Sequence, residues 1–214
     1  MELKGKKINF LGDSITEGHG TSGKDKIYHA LLKESAGLAE ARNYGIGGTK
    51  IARLLEVTNH PFDQDFNLRA PQMDKDADIV VVFGGTNDYG HATIPMGSID
   101  NEEITTFYGG VHSLCKYLIK EYVGKTIVFM TPLHRMEEKA FSWCEKSKDL
   151  VCFVRAIREV CEHYSIPVLD MYKEGEMYGN IKEWCDVYMP DGLHPNDEGH
   201  KIIAHKLQKF LENL

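Results

Sequence analysis

The sequence predicts an α/β protein built on a parallel β-sheet. Three observations lead there. Short apolar runs alternate with stretches whose apolar residues recur every three or four positions, the pattern of βαβ units. One run, Ile79-Val80-Val81-Val82-Phe83, is apolar throughout and rich in β-branched residues, as a strand covered on both faces should be. The chain has 214 residues, 42% hydrophobic and 27% charged, the size and composition of one globular domain, which is assigned to residues 1–214.

Taken in order, the first strand is Ile8-Asn9-Phe10-Leu11. The turn Gly12-Asp13-Ser14-Ile15-Thr16 follows and delivers Ser14 to the carboxyl edge of the sheet, where open α/β sheets bind ligands. A helix is expected over residues 26–36 and a weaker second strand near residues 41–44. The third strand is 79–83. Ile104, Tyr108, Val111, Cys115, Leu118 and Tyr122 then form one apolar stripe, the mark of an amphipathic helix. Residues 126–130 read as the fourth strand. Val151, Val154, Ile157, Cys161 and Tyr164 mark another helix, and residues 166–170 the fifth strand. The last helix is expected to begin at Pro195, which suits a first helical position, with Asp197 and Glu198 at the positive end of its dipole. Its core face is Ile203, Leu207, Phe210 and Leu211. Residues 60–76 and 135–148 have no clear period and are left as segments that border a pocket.

A formal net charge of −7 argues against a general nucleic-acid surface, which would be basic, and lends no support to docking on anionic lipid. The N-terminal residues lack the apolar core of a signal peptide, and no apolar run is long enough to span a bilayer. The five cysteines, at 115, 144, 152, 161 and 185, form no C-x-x-C pair and read as reduced thiols of a cytoplasmic protein.

Ser14 alone favours a helix N-cap, for which serine is a preferred residue. The far end of the chain, Asp191-Gly192-Leu193-His194, reverses that reading. A serine hydroxyl needs a base within hydrogen-bond reach, and the base needs an orienting partner. Asp191 and His194 are three residues apart, so one short turn lets the carboxylate hold the imidazole. The chain order Ser, Asp, His differs from those of chymotrypsin and subtilisin. Two further stretches follow predicted strands. Asn43-Tyr44-Gly45-Ile46-Gly47-Gly48-Thr49 reads as a glycine turn, or as a source of a backbone N–H for developing negative charge. In Gly84-Gly85-Thr86-Asn87-Asp88, Asn87 either caps a turn or donates its amide to the same charge.

Other motifs are weaker. Residues 18–23 fit G-x-G-x-x-G and, with Lys24, most of a phosphate-loop pattern, but Asp25 stands where Ser or Thr should hold magnesium. The ten histidines include no H-E-x-x-H, and no Cys/His cluster has zinc spacing, so no metal site is assigned.

These blocks resemble the SGNH (GDSL-type) hydrolase family over the whole chain and in order. Gly12-Asp13-Ser14 resembles the block carrying the nucleophile, here followed by Ile15 where Leu is common. Residues 43–48 resemble the second block, whose oxyanion glycine falls five residues after the Asn, hence Gly48. Gly85-Thr86-Asn87-Asp88 resembles the third, with Asn87 as oxyanion donor, and residues 191–194 the last. The resemblance implies a flavodoxin-like three-layer α/β/α fold with five parallel strands in the order 2-1-3-4-5. It also implies ester hydrolysis without a metal or organic cofactor: Ser14 attacks, His194 serves as base, Asp191 orients it, and the N–H groups of Ser14 and Gly48 with the Asn87 amide receive the oxyanion. Without a long apolar lid between the blocks, small acyl groups are expected, a carbohydrate acetyl ester foremost. His19, Tyr89, His91, Leu133, His134 and Trp143 are candidates for the pocket wall. The alternatives are a lysophospholipase or thioesterase of the same family, or a non-catalytic sugar-binding protein on the same fold.

Overall fold

A computed structural model describes all residues except 57, 92 and 146. Five strands, β1 (Lys7–Gly12), β2 (Glu40–Gly45), β3 (Ile79–Phe83), β4 (Thr126–Met130) and β5 (Val168–Leu169), form one sheet in the order β2-β1-β3-β4-β5, and every pair is parallel. The helices are α1 (Ser14–Glu17), α2 (Tyr28–Ala36), α3 (Phe66–Arg69), α4 (Thr86–Gly90), α5 (Phe107–Glu121), α6 (Leu150–His163), α7 (Met171–Glu174), α8 (Lys182–Tyr188) and α9 (Asp197–Glu212). None of the described helices is long and apolar enough to cross a membrane.

Side-chain alternation along β3 builds both core layers. Val80 and Val82 face a layer that includes Val111 and Leu118 of α5 and Ile157 and Val160 of α6. Ile79, Val81 and Phe83 face the other, with Tyr28 and Leu32 of α2 and Ile203, Leu207 and Leu211 of α9. Two covered faces explain why β3 is fully buried and why its sequence is the plainest strand signal in the chain. β2 is the sheet's edge and is only half-buried. Arg42 on it pairs with Glu40 and with Asp76, which also binds Lys7.

The ends of several elements differ from expectation for local reasons. α2 begins at Tyr28, because Lys24–Lys26 form a separate 3₁₀ turn. α5 begins after Thr106, whose hydroxyl caps it by accepting from Gly109 N at 3.1 Å. β5 is shortened to two residues: Pro167 cannot donate to a ladder, and Asp170 turns away to cap α7 and pair with Arg158. α9 is capped by Asn196, which accepts from Glu198 N and Gly199 N, so Pro195 stands before the helix and not at its first position. Phe210 is half-buried against the core that Ile203, Leu207 and Leu211 enter fully. None of the five cysteines forms a disulfide among the described residues.

The strand order reverses at β1. The chain leaves β1 for β2 on one side and then crosses to β3 on the other, which opens a crevice at the carboxyl ends of these strands. The loops after β1, β2 and β3 all end there.

Candidate active site

Ser14 is the first residue of α1, directly beyond β1, and is 8% exposed. The helix cap is Asp13, not the serine: Asp13 Oδ1 accepts from Ile15 N at 3.0 Å. Gly12 allows this abrupt start. A Cβ there would lie 2.0 Å from Thr16 Oγ1 and 3.0 Å from the Phe83 carbonyl oxygen of β3.

The hydroxyl of Ser14 lies 2.9 Å from His194 Nε2. The other ring nitrogen, Nδ1, lies 2.6 Å from Asp191 Oδ2. Asp191 is fixed in turn by its second oxygen, which accepts from Leu193 N at 2.9 Å and His194 N at 2.7 Å. Burial pushes the Asp191 carboxyl up, but these backbone donors and the His194 ring outweigh it and hold the group below its ordinary value. Residues from both ends of the chain thus meet at one rim. The ring of His19 packs on His194 with centroids 4.5 Å apart, and Met136 N donates to the Gly192 carbonyl at 2.9 Å, bracing the turn.

On the other side of Ser14 the backbone donors of the loop after β2 can be counted. Gly45 N donates to Asn43 Oδ1, Ile46 N to the Gly12 carbonyl, Gly47 N to Glu17 Oε2 and Thr49 N to the Ile46 carbonyl. Gly48 N alone in this stretch donates to none of the described residues, and Gly48 sits at φ +73°, a conformation that suits glycine. Asn87, 8% exposed on α4, donates Nδ2 to the Thr49 carbonyl at 3.0 Å, which joins α4 to this loop. Asp88 reinforces the join by accepting from Ile51 N and Ala52 N, each at 3.0 Å.

Of the proposed wall residues, His19 touches the imidazole, and His91 lines a cavity beyond α4. Tyr89 and Leu133 are corrections. Both are core residues, Tyr89 between Phe141 and Phe153 with its hydroxyl on the Lys139 carbonyl, and Leu133 in the layer beneath α9. His134 turns to Glu138, 2.7 Å from Nδ1, and packs on Tyr172. Trp143 is exposed and rests on Phe141. The nucleotide-like glycines form a loop tied by Ser22 to Asp197.

Sequence reading missed Arg69, in the unassigned segment 60–76. Its buried guanidinium donates to the Gly12 and Tyr44 carbonyls, at the ends of β1 and β2, and to Thr49 Oγ1. Burial pulls it down to about 10, against the charges of Asp13 and Asp65. No motif marks it. Its place at the end of the short helix Phe66–Arg69, with apolar Phe66 and Leu68 before it, is its one trace.

Asp13 and Asp88 were also unread as a pair. Burial raises Asp13 to about 7, with the Asp88 charge adding, and raises Asp88 to about 6 against its backbone donors. A carboxyl raised in the folded state contributes stability below its unfolded value near 3.8, and that contribution is lost as pH rises through about 7. Asp13→Asn keeps the capping acceptor and removes the ionisation. Relative to the parent it should gain on the order of 4 kcal/mol between pH 4 and pH 8. His29 and His200, lowered to about 4 by burial, act with the opposite sign: their contribution is present above 6.5 and lost as pH falls towards 4. Urea unfolding of both proteins at the two pH values isolates the Asp13 contribution, and a difference independent of pH would contradict it.

The sequence matches the family described as "GDSL-like Lipase/Acylhydrolase family" over residues 10–202. The GDSL esterase/lipase CPRD49 of Arabidopsis thaliana is 22% identical over 218 residues, covering 96% of this chain and 78% of its own. A solved protein from Lactobacillus plantarum is 29% identical with a TM-score of 0.85, covering 99% of this chain and 98% of its own. The acetyl xylan esterase AlAXEase shares the fold at 23% identity and a TM-score of 0.67, over 96% of this chain and 99% of its own.

Proposed function

The chain belongs to the GDSL-like lipase/acylhydrolase family, whose activity is ester hydrolysis, and from that premise we propose that it is a serine esterase of short acyl esters, those of carbohydrates among them. The observation carrying this reading is the continuous contact from Ser14 Oγ through the His194 ring to Asp191, at 2.9 and 2.6 Å.

In this mechanism His194 Nε2 takes the hydroxyl proton as Ser14 Oγ attacks the ester carbonyl carbon. Asp191 holds the proton on Nδ1, which fixes the tautomer and stabilises the imidazolium. The free N–H of Gly48, the N–H of Ser14 and the Asn87 amide receive the oxyanion. His194 then protonates the departing alkoxide, and the acyl-serine remains. Water, deprotonated by the same nitrogen, attacks the acyl carbon and releases the acid. The acetyl xylan esterase with this fold lends support to acetyl among the acyl groups.

The test is labelling by a fluorophosphonate followed by peptide mapping. One label per chain, at Ser14, is the expected result, and a labelled protein with the mark elsewhere, or no label, would remove the nucleophile assignment. Asn87→Ala should lower kcat by ~10²–10³-fold with little change in KM, because its donor acts chiefly in the transition state. Steady-state kinetics on an aryl acetate would show this, and an effect confined to KM would count against that role.

A further inference from the structure

Beyond the Gly48 loop lies a cavity of about 490 Å³. Lys50, Arg53 and Leu54 line it from the chain after Gly48, and His91, Ile94 and Pro95 from the chain after α4. The cavity therefore shares its walls with the two segments that carry Gly48 and Asn87.

The cations in this wall are not equivalent. Arg53 Nε donates to Asp65 at 3.0 Å. Lys50 is 6% exposed, yet among the described residues its ammonium meets neither a hydrogen-bond acceptor nor an ion-pair partner. The carboxylates whose charge reaches it, Asp88 and Asp63, are held by other donors: Ile51 N and Ala52 N for the first, Thr58 for the second. Burial accordingly lowers the Lys50 ammonium below its ordinary value. His91 is lowered too, by burial and by the charges of Lys50 and Arg135. Glu56, the one acidic group among the described lining residues, is exposed to water. The side chain is buried along its length, but the nitrogen at its tip keeps contact with solvent in the cavity it lines, and an anion entering there would pair with it.

The sheet decides which part of an ester reaches this place. Leu54 and Ile94 pack on the face covered by α5 and α6. His194 is delivered by the turn before α9, which covers the opposite face. The base protonates the departing alkoxide, so the alcohol lies on the His194 side and the acyl chain on the other. Resting on the serine-esterase reading, we propose that this cavity is an acyl subsite for short chains that end in a carboxylate, with the methylenes against Leu54, Ile94 and Pro95 and the carboxylate on Lys50.

The test compares three esters of 4-methylumbelliferone: acetyl, heptanoyl and the adipoyl monoester. The last two are nearly equal in length and differ in the terminal charge, and the adipoyl chain is too long for ready cleavage by its own carboxylate. Wild-type kcat/KM should favour adipoyl over heptanoyl by at least ~10-fold, the effect of one hydrogen bond to a charged group. Lys50→Met should bring that ratio to one or below, and Lys50→Arg should keep most of it. A wild-type ratio at or below one, with the acetyl ester cleaved, overturns the subsite and leaves the esterase reading standing. An equal loss on all three esters in Lys50→Met also overturns it. Calorimetry with free adipate tests the site without turnover. Binding by the wild type that Lys50→Met abolishes supports the subsite even if no ester is cleaved, in which case the esterase reading alone fails. Absence of Lys50-dependent binding overturns the subsite.

Discussion

Replacing Ser14 with alanine is expected to lower kcat for an aryl acetate by roughly 10⁴–10⁶-fold, the range seen when a triad nucleophile is removed from a serine hydrolase. The fold should survive. Ser14 does not cap α1; Asp13 does, and alanine is the best helix former. The one side-chain contact of the hydroxyl is with His194, at the rim, so no buried partner is orphaned. Circular dichroism and thermal unfolding should therefore match the parent closely. The residual rate would come from the oxyanion donors, which the substitution leaves in place. Undiminished turnover in a well-folded variant would dismiss Ser14 as nucleophile.

Asp191→Asn should lower kcat by ~10²–10⁴-fold, the upper end being the loss found for the equivalent change in a serine protease. The oxygen of asparagine can still accept from Leu193 N and His194 N, so the turn should keep its shape. Its amide nitrogen would then face His194 Nδ1, where two donors cannot meet, and the ring would move its proton to Nε2. In that tautomer the nitrogen facing Ser14 is a donor and cannot accept the hydroxyl proton. The Asp191 side chain is half exposed, so water can relieve part of the mismatch, which widens the expected range downward. NMR of the imidazole nitrogens in the variant reads the tautomer directly. A proton retained on Nδ1 together with wild-type kcat would contradict the orienting role.

How much of this was legible in the chain depends on how local the cause is. β3 announces itself because both its faces are covered and no polar residue is tolerated. β2 was faint because it lies at the edge, where half-buried Glu40 and Arg42 pair with each other and break the apolar run. The serine, the aspartate-histidine turn, the glycine loop and Asn87 each follow a strand or precede a helix, and their spacing could be read in one dimension. What could not be read is what holds them: Arg69 is joined to Gly12, Tyr44 and Thr49 only in space. The same limit explains the wall residues. Tyr89 and Leu133 sit beside the site in sequence, yet α4 and the loop after β4 turn their side chains into the core.

The charges along β2 have a consequence for the behaviour of the free protein. An open sheet ends in unpaired backbone groups that can recruit a strand from another molecule. Here one margin is two residues long, too short to template such pairing. The longer margin presents Arg42 clasped by Glu40 and Asp76, with Lys7 alongside. A foreign strand could dock there only by stripping water from that ionic cluster, so the molecule guards both its margins against self-adhesion.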